Sequence, residues 1–206
     1  MSTTLLRRLR WALWGMVLVM ATTLAAYRWL PKNHEPPLPI LQQVPEFSLT
    51  NRDGKLTQLE NLIGKPWVAD FVFTRCPGVC PIMTQRMQQL IADTPVGKAR
   101  FVSISVDPEY DTPEILQAYA AKHGAGPDWY FLTGQESQIY PLIRKGFLLA
   151  LDANPQLQGS QGSQEPIVHS NRFALVDDQG RIRGYYNSYN AEELTQLRLD
   201  LAKLYL

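Results

Sequence analysis

Cys76 and Cys80 are the only cysteines in the chain, and Pro77, Gly78 and Val79 separate them. Two thiols at that spacing offer two kinds of chemistry. As thiolates they hold a soft metal ion, and as a pair they exchange between dithiol and disulfide. The bland alternative is two inert core residues, but Pro and Gly between them at a strand–helix junction argue against it. The segment from Phe71 to Met87, FVFTRCPGVCPIMTQRM, runs from an apolar strand through a short turn into a helix that starts at Pro81. That reading makes Cys80 the N-cap and puts Cys76 one turn upstream. A helix N-terminus carries partial positive charge and free N–H groups, which favour thiolate over thiol. Arg75 is a positive neighbour expected to push the same way.

The spacing bears on the choice between these chemistries. Disulfide oxidoreductases with a C-x-x-C motif have two residues between the thiols. Three residues give a wider bite, so both sulfurs can point at one ion. A disulfide stays geometrically possible if the loop folds back. Two thiolates leave a metal undercoordinated, so a third ligand is expected. There are three histidines. His34 lies in a proline-rich stretch. His123 precedes Gly124 at an expected helix end, where it would serve the last carbonyls. His169 follows a long polar segment and precedes an expected strand. Met83 and Met87 are soft enough to bind a metal, but their helical spacing is that of core residues.

These residues need elements to hold them. Trp67–Phe73 and Phe101–Val106 read as buried strands, and Pro81–Ala92 between them reads as a helix. That is a β-α-β unit with parallel strands. A second helix starts at Thr112, with Pro113 in its first turn, and ends before Gly124. A short strand over Trp129–Leu132 and a short helix over Glu136–Arg144 follow. Phe147–Leu151 is expected to be extended, and Asn154–Pro166 to be an exposed loop. Arg172–Val176 and Ile182–Tyr186 flank a four-residue turn and read as a hairpin. The last helix starts at Asn190, with Glu193 completing a capping box, and Leu194, Leu197, Leu201 and Leu204 form its buried stripe. This order predicts an α/β, thioredoxin-like fold: a central mixed sheet flanked by helices. In such a sheet, the strand start after His169 lies near the cysteine loop.

The chain has 206 residues, with 20 Lys+Arg against 19 Asp+Glu. No basic field is available for nucleic acid. The 45% hydrophobic content suits one globular domain rather than many membrane spans. Two cysteines four apart do not make a disulfide scaffold. The N-terminus is distinct: Arg7, Arg8 and Arg10 precede an apolar stretch from Trp11 to Tyr27, with Trp11, Trp14 and Trp29 near its ends. This predicts an N-terminal transmembrane helix, the arginines staying in the cytoplasm and the remainder exported. A cleaved signal peptide is the alternative, with Ala21 and Thr23 as weak cleavage-site residues. Residues 1–30 are thus a cytoplasmic stub and anchor, 31–43 a proline-rich linker, and 44–206 the folded domain.

The motifs resemble the Sco/SenC family, the copper proteins of cytochrome c oxidase assembly. Thr74 and the run Cys76-Pro77-Gly78-Val79-Cys80-Pro81 match its TxCPxxCP signature. Ser105-Val106-Asp107-Pro108-Glu109 and Asp111-Thr112-Pro113-Glu114 are similar to its SxDPxxDTPE stretch. Phe131-Leu132-Thr133-Gly134 also fits, as does His169 before a strand and an Asp-x-x-Gly turn. The likeness runs from about Val44 to the C-terminus. It implies copper, Cu(I) or Cu(II), bound by Cys76, Cys80 and His169. It also implies a partner oxidase subunit with a dinuclear copper site, another periplasmic copper chaperone as donor, and an inner-membrane anchor. Asp107 is placed near the site by the resemblance; otherwise it is a strand-end residue accepting hydrogen bonds in the next turn. Gly78 and Val168 stand where many members have Asp, which leaves the ligands intact. Three readings remain: a copper metallochaperone, a thiol–disulfide reductase that keeps the oxidase cysteines reduced, and a thiol peroxidase. The last lacks an obvious further polar group for peroxide.

Overall fold

The computed structural model describes residues 3–29, 37–149 and 170–205. The chain forms two units, Met1–Pro37 and Leu38–Leu206. In the first, helix α1 spans Thr3–Trp29. The helix expected there forms, but no helix among the described residues is long and apolar enough to cross a membrane. Two adjacent threonines break into its apolar run: Thr22 bonds back to the Val19 carbonyl and Thr23 to those of Val19 and Met20.

The second unit opens with the short strands β1 (Gln42–Gln43), β2 (Ser48–Asn51) and β3 (Leu56–Gln58). Strand β4 (Trp67–Val72), helix α2 (Val79–Asp93) and strand β5 (Arg100–Ser105) form the expected β-α-β unit. Helix α3 (Pro113–Lys122), strand β6 (Trp129–Thr133) and helix α4 (Glu136–Pro141) come next. Strands β7 (Arg172–Val176) and β8 (Arg181–Asn187) form the hairpin, and helix α5 (Ala191–Tyr205) follows. The sheet order is β1-β8-β7-β4-β5-β6-β2-β3. Strands β4, β5 and β6 run parallel, and β7 is antiparallel to β4. The four-strand centre β8-β7-β4-β5, with its third strand in chain order reversed, is the thioredoxin-like arrangement expected.

All six residues of β4 are buried, because the sheet is covered on both faces. Side chains alternate between those faces along the strand. Trp67 and Phe71 meet Phe147 edge-on, at ring-centroid distances of 6.0 and 5.0 Å. Val68 faces the other layer, where Met83 and Met87 of α2 and Leu194, Leu197 and Leu201 of α5 are buried. The methionines are core residues, as their spacing implies.

Two local expectations change. Phe147–Leu149 is not a strand. The helix holding Pro141 widens into a π turn over Leu142–Gly146, since proline has no N–H to continue the regular ladder. Leu148 then turns the chain with a φ of 49°. Phe147 stays under β4, its carbonyl accepting the Tyr185 hydroxyl at 2.7 Å. At the start of α5, Asn190 Oδ1 accepts from the N–H groups of Glu192 and Glu193. Glu193 does not close the capping box: its carboxylate accepts from the Asn187 N–H at 2.7 Å and so ties α5 to the end of β8. The expected loop over 154–166 lies outside the described residues.

Leu197 is fully buried between α5 and the sheet. Leu197→Ala should lower unfolding free energy by roughly 2–5 kcal/mol. Urea unfolding checks this as a lower midpoint at unchanged slope.

Candidate metal centre

The cysteine loop leaves the C-terminal end of β4 and is fixed by a carboxylate that arrives from far along the chain. Asp111, fully buried, accepts from both the backbone N–H and the hydroxyl of Thr74, and from the Ser105 hydroxyl at 2.6 Å. This joins the exits of β4 and β5. Burial raises the Asp111 carboxyl, and the Ser105 and Thr74 hydrogen bonds oppose that rise. Its part was not read from sequence, although Asp111 stood within a recognised motif.

The Cys76 N–H donates to the Phe73 carbonyl at 3.2 Å, so the loop folds back over the strand end. Both cysteines are free and buried, with 8% and 4% of Cys76 and Cys80 exposed. The helix begins earlier than expected. Gly78 is the N-cap, Val79 the first residue, and Cys80 lies inside the first turn. Pro81 fits the third position because N–H groups there have no partner within the helix. A side chain at Gly78 would meet nothing within 4 Å, so an acidic residue fits there sterically.

The expected push toward thiolate is overturned at Cys80. Burial drives its thiol pKa well up, the neighbouring Cys76 and Asp70 add to the rise, and the Phe73 backbone opposes it. Desolvation outweighs the helix end. Arg75 gives no help, because its Nε and Nη2 grip the Asp107 carboxylate at 2.6 and 3.1 Å. Its guanidinium also lies 4.6 Å from the Tyr110 ring centroid, stacked outward. Asp107 therefore has both roles of a turn residue: its carbonyl accepts from Tyr110 and Asp111, and its carboxylate is committed to Arg75.

Beneath α2 lies a residue that sequence reading passed over. Asp70 is the one acid in the apolar run WVADFVF. It is fully buried on β4, with the Ser103 hydroxyl of β5 beside it. Burial pushes its pKa up to about 7, with Ser103 opposing the shift. Tyr119 of α3 and Thr84 of α2 share a 2.7 Å hydrogen bond nearby.

Of the expected ligands, the structure brings Cys76 and Cys80 together. His169 and His34 lie outside the described residues. His123 caps α3 as its spacing implied, its ring tilted against Tyr119 with centroids 4.4 Å apart. Among the described residues no group of three or more His, Cys, Asp or Glu is arranged to hold a metal ion.

A buried dithiol at the strand–helix junction of a β8-β7-β4-β5 sheet defines a thioredoxin-like thiol protein. The SCO1/SenC family model matches residues 39–203. The SCO1 protein homolog of Bacillus subtilis is 36% identical over 153 residues, covering 72% of this chain and 76% of that protein. The chain belongs to the SCO1/SenC family. A solved structure of BsSco, described as a member of the Sco family of cytochrome c oxidase assembly proteins with a disulfide switch, superposes with TM-score 0.68. It is 33% identical and covers 83% of this chain and 98% of that one. The copper-bound ScoI of Bradyrhizobium japonicum superposes with TM-score 0.63 at 26% identity, covering 81% of this chain and all of that one.

Asp70 also governs stability against pH. Between about pH 4 and 7 the folded chain keeps a proton on Asp70 that the unfolded chain has shed. The Asp70 contribution to stability therefore falls as pH rises through that window, by roughly 4 kcal/mol. Asp70→Asn should be more stable than the wild type at pH 8 and lose most of this slope. Denaturant unfolding from pH 5 to 8.5 measures it, and equal slopes in the two proteins would remove the assignment.

Proposed function

We propose that this chain is a copper metallochaperone for the dinuclear copper site of cytochrome c oxidase, binding the metal through Cys76, Cys80 and His169. The observation that carries this reading is the pair of free, buried thiols held at one strand–helix junction by the Asp111 clamp. Two soft sulfurs in a water-poor site suit Cu(I), and an imidazole completes a three-coordinate set. The antiparallel register supports His169 as that imidazole. With Ala69 opposite Ala174 and Trp67 opposite Val176, the start of β7 lies toward the end of β4 that feeds the cysteine loop. Family membership, the copper-bound ScoI and the oxidase-assembly description of BsSco support the copper and the recipient.

Copper here is cargo, supplied by another periplasmic copper carrier and passed on by ligand exchange to the recipient's thiolates. Because Cys80 is held as a thiol, loading must displace its proton, so apparent copper affinity rises with pH. In this reading the N-terminal segment anchors the domain on the periplasmic side, beside its recipient. A second reading is favoured by one observation, the disulfide switch described for BsSco. In it the same thiols act as a reductase for the recipient's cysteines, and His169 is dispensable.

Copper titration of the reduced full chain separates the two. The wild type should take up one Cu(I), Cys80→Ser should bind it far more weakly, and His169→Ala should bind at least about tenfold more weakly, a difference of ~1.4 kcal/mol. His169→Ala keeps dithiol exchange under either reading. Failure of the reduced wild type to take up stoichiometric copper would end the chaperone reading.

A further inference from the structure

We propose that Asp111 is the positioning residue of the thiol pair. By gripping Thr74 from the exit of β5, it sets where Cys76 stands against Cys80 and so how readily the two sulfurs join. The proposal rests on reading the two cysteines as a working thiol pair, and it is independent of copper.

The two thiols are placed by different bodies. Cys80 lies in the first turn of α2, whose Met83 and Met87 are fully buried in the core. Cys76 lies upstream of that helix, beyond Pro77 and Gly78, and the glycine adds backbone freedom between the two. Both residues before Cys76 are held by the segment that leaves β5. Asp111 holds Thr74 through its N–H and its hydroxyl, and the Asp107 carboxylate holds Arg75. That segment is closed on itself. The Asp107 carbonyl accepts from the N–H groups of Tyr110 and Asp111. The Ser105 hydroxyl accepts from the Asp107 N–H while donating to Asp111. Cys76 is therefore set by the β5 exit and Cys80 by α2, so the bite of the pair is decided at the joint between them.

Asp111 has no task in its own helix that would explain its burial. It precedes the N-cap of α3, and Thr112 fills that role by accepting from the Ile115 N–H. Its donors are the Ser105 hydroxyl and two groups of Thr74, which lies 37 residues away in sequence. A fully buried carboxylate with both oxygens engaged is a stiff joint, and removing one partner leaves a buried polar group unpaired. The hold on Arg75 is the weaker one, because 47% of that side chain is exposed. Past these two residues the loop is tied back by the Cys76 N–H to the Phe73 carbonyl. Both cysteines then enter one apolar cluster with Phe71, Phe73 and Leu149. Holding two reacting groups together raises their effective concentration, and a shift of about 1 Å can lower it ~100-fold.

Exchange of the pair with glutathione reads this quantity. In the opening direction the Cys76–Cys80 bond breaks and an S–S bond forms between two glutathione molecules. Their two thiol protons and two electrons pass to the cysteines. The constant for the closing direction is the effective concentration of one cysteine thiol at the other. Loss of a buried contact that serves the fold alone destabilises reduced and closed chains alike and leaves that constant where it was. Loss of a contact that brings the sulfurs together lowers it.

The test equilibrates the metal-free full chain with mixtures of reduced and oxidised glutathione at neutral pH and traps the free thiols with a maleimide. Asp111→Asn should lower the closing constant at least about tenfold, and Thr74→Val about threefold. Thr74→Ser keeps the hydroxyl and should stay within about twofold of wild type. Adding Thr74→Val to Asp111→Asn should change little further, because both act through one contact. Asp177→Asn is the comparison. That acid is also buried, is gripped by Arg181 and Arg183, and follows Val176 at the opposite end of β4. Its loss should lower the urea midpoint and leave the constant within about twofold of wild type. An unchanged or raised constant in Asp111→Asn overturns the proposal, as does an equal fall in Asp177→Asn or a wild-type pair that does not close. Should Asp111→Asn fail to fold, Thr74→Val against Thr74→Ser decides it, and equal constants in those two overturn it. Copper uptake by the same chains is a separate arm. A chain that binds copper with a closing constant indifferent to Asp111 loses this proposal alone; one that closes through Asp111 but binds no copper loses the copper reading alone.

Discussion

Strand β4 has no residue open to water, and the chemistry at its C-terminal end follows from that. A strand covered on both faces delivers its exit loop into a dry environment. The two thiols that follow are carried in with it, and their sulfurs meet little water. Desolvation then decides the resting state of Cys80 against the helix N-terminus, whose favourable field is of the order of a kcal/mol. The outcome is a thiol waiting for a reason to ionise. Arrival of a thiophilic metal supplies one and attack on a disulfide supplies another, so the same burial suits both chemistries.

Arg75 and Asp111 are both engaged away from the sulfurs. Arg75, adjacent to Cys76 in sequence, is turned away to Asp107 and Tyr110. Asp111 is spent on Thr74 and Ser105, which fixes where the loop starts without touching either thiol. The loop is thus rigid at its base and free of strong ion pairs at its tip. A site that must accept and release a soft ion benefits from that division.

Much of this could be read from the residues. The apolar runs of β4 and β5, the cap at Thr112 and the leucine stripe of α5 carry local signals, and the structure repeats them. The cysteine pair announced itself by spacing alone. What failed were statements that depend on distant partners. Arg75 finds Asp107 32 residues away, so proximity in sequence to Cys76 said nothing about where its charge goes. The protonation of Cys80 depends on total burial, which no local pattern reports. Asp70 was visible as an acid among apolar residues, yet only the packed structure shows that it is fully buried. The extended run expected from Phe147 does not form: the chain turns at Leu148, and the Phe147 carbonyl is tied to the distant Tyr185 hydroxyl. His169 rests on the family motif, since no spacing links it to the cysteines.

The coordination shell is where the copper reading stands or falls. X-ray absorption at the copper edge of the Cu(I)-loaded protein should show two sulfur neighbours and one imidazole nitrogen, with one sulfur lost in Cys80→Ser. A shell of nitrogen and oxygen alone, or one unchanged by that substitution, would contradict a site built on the buried pair.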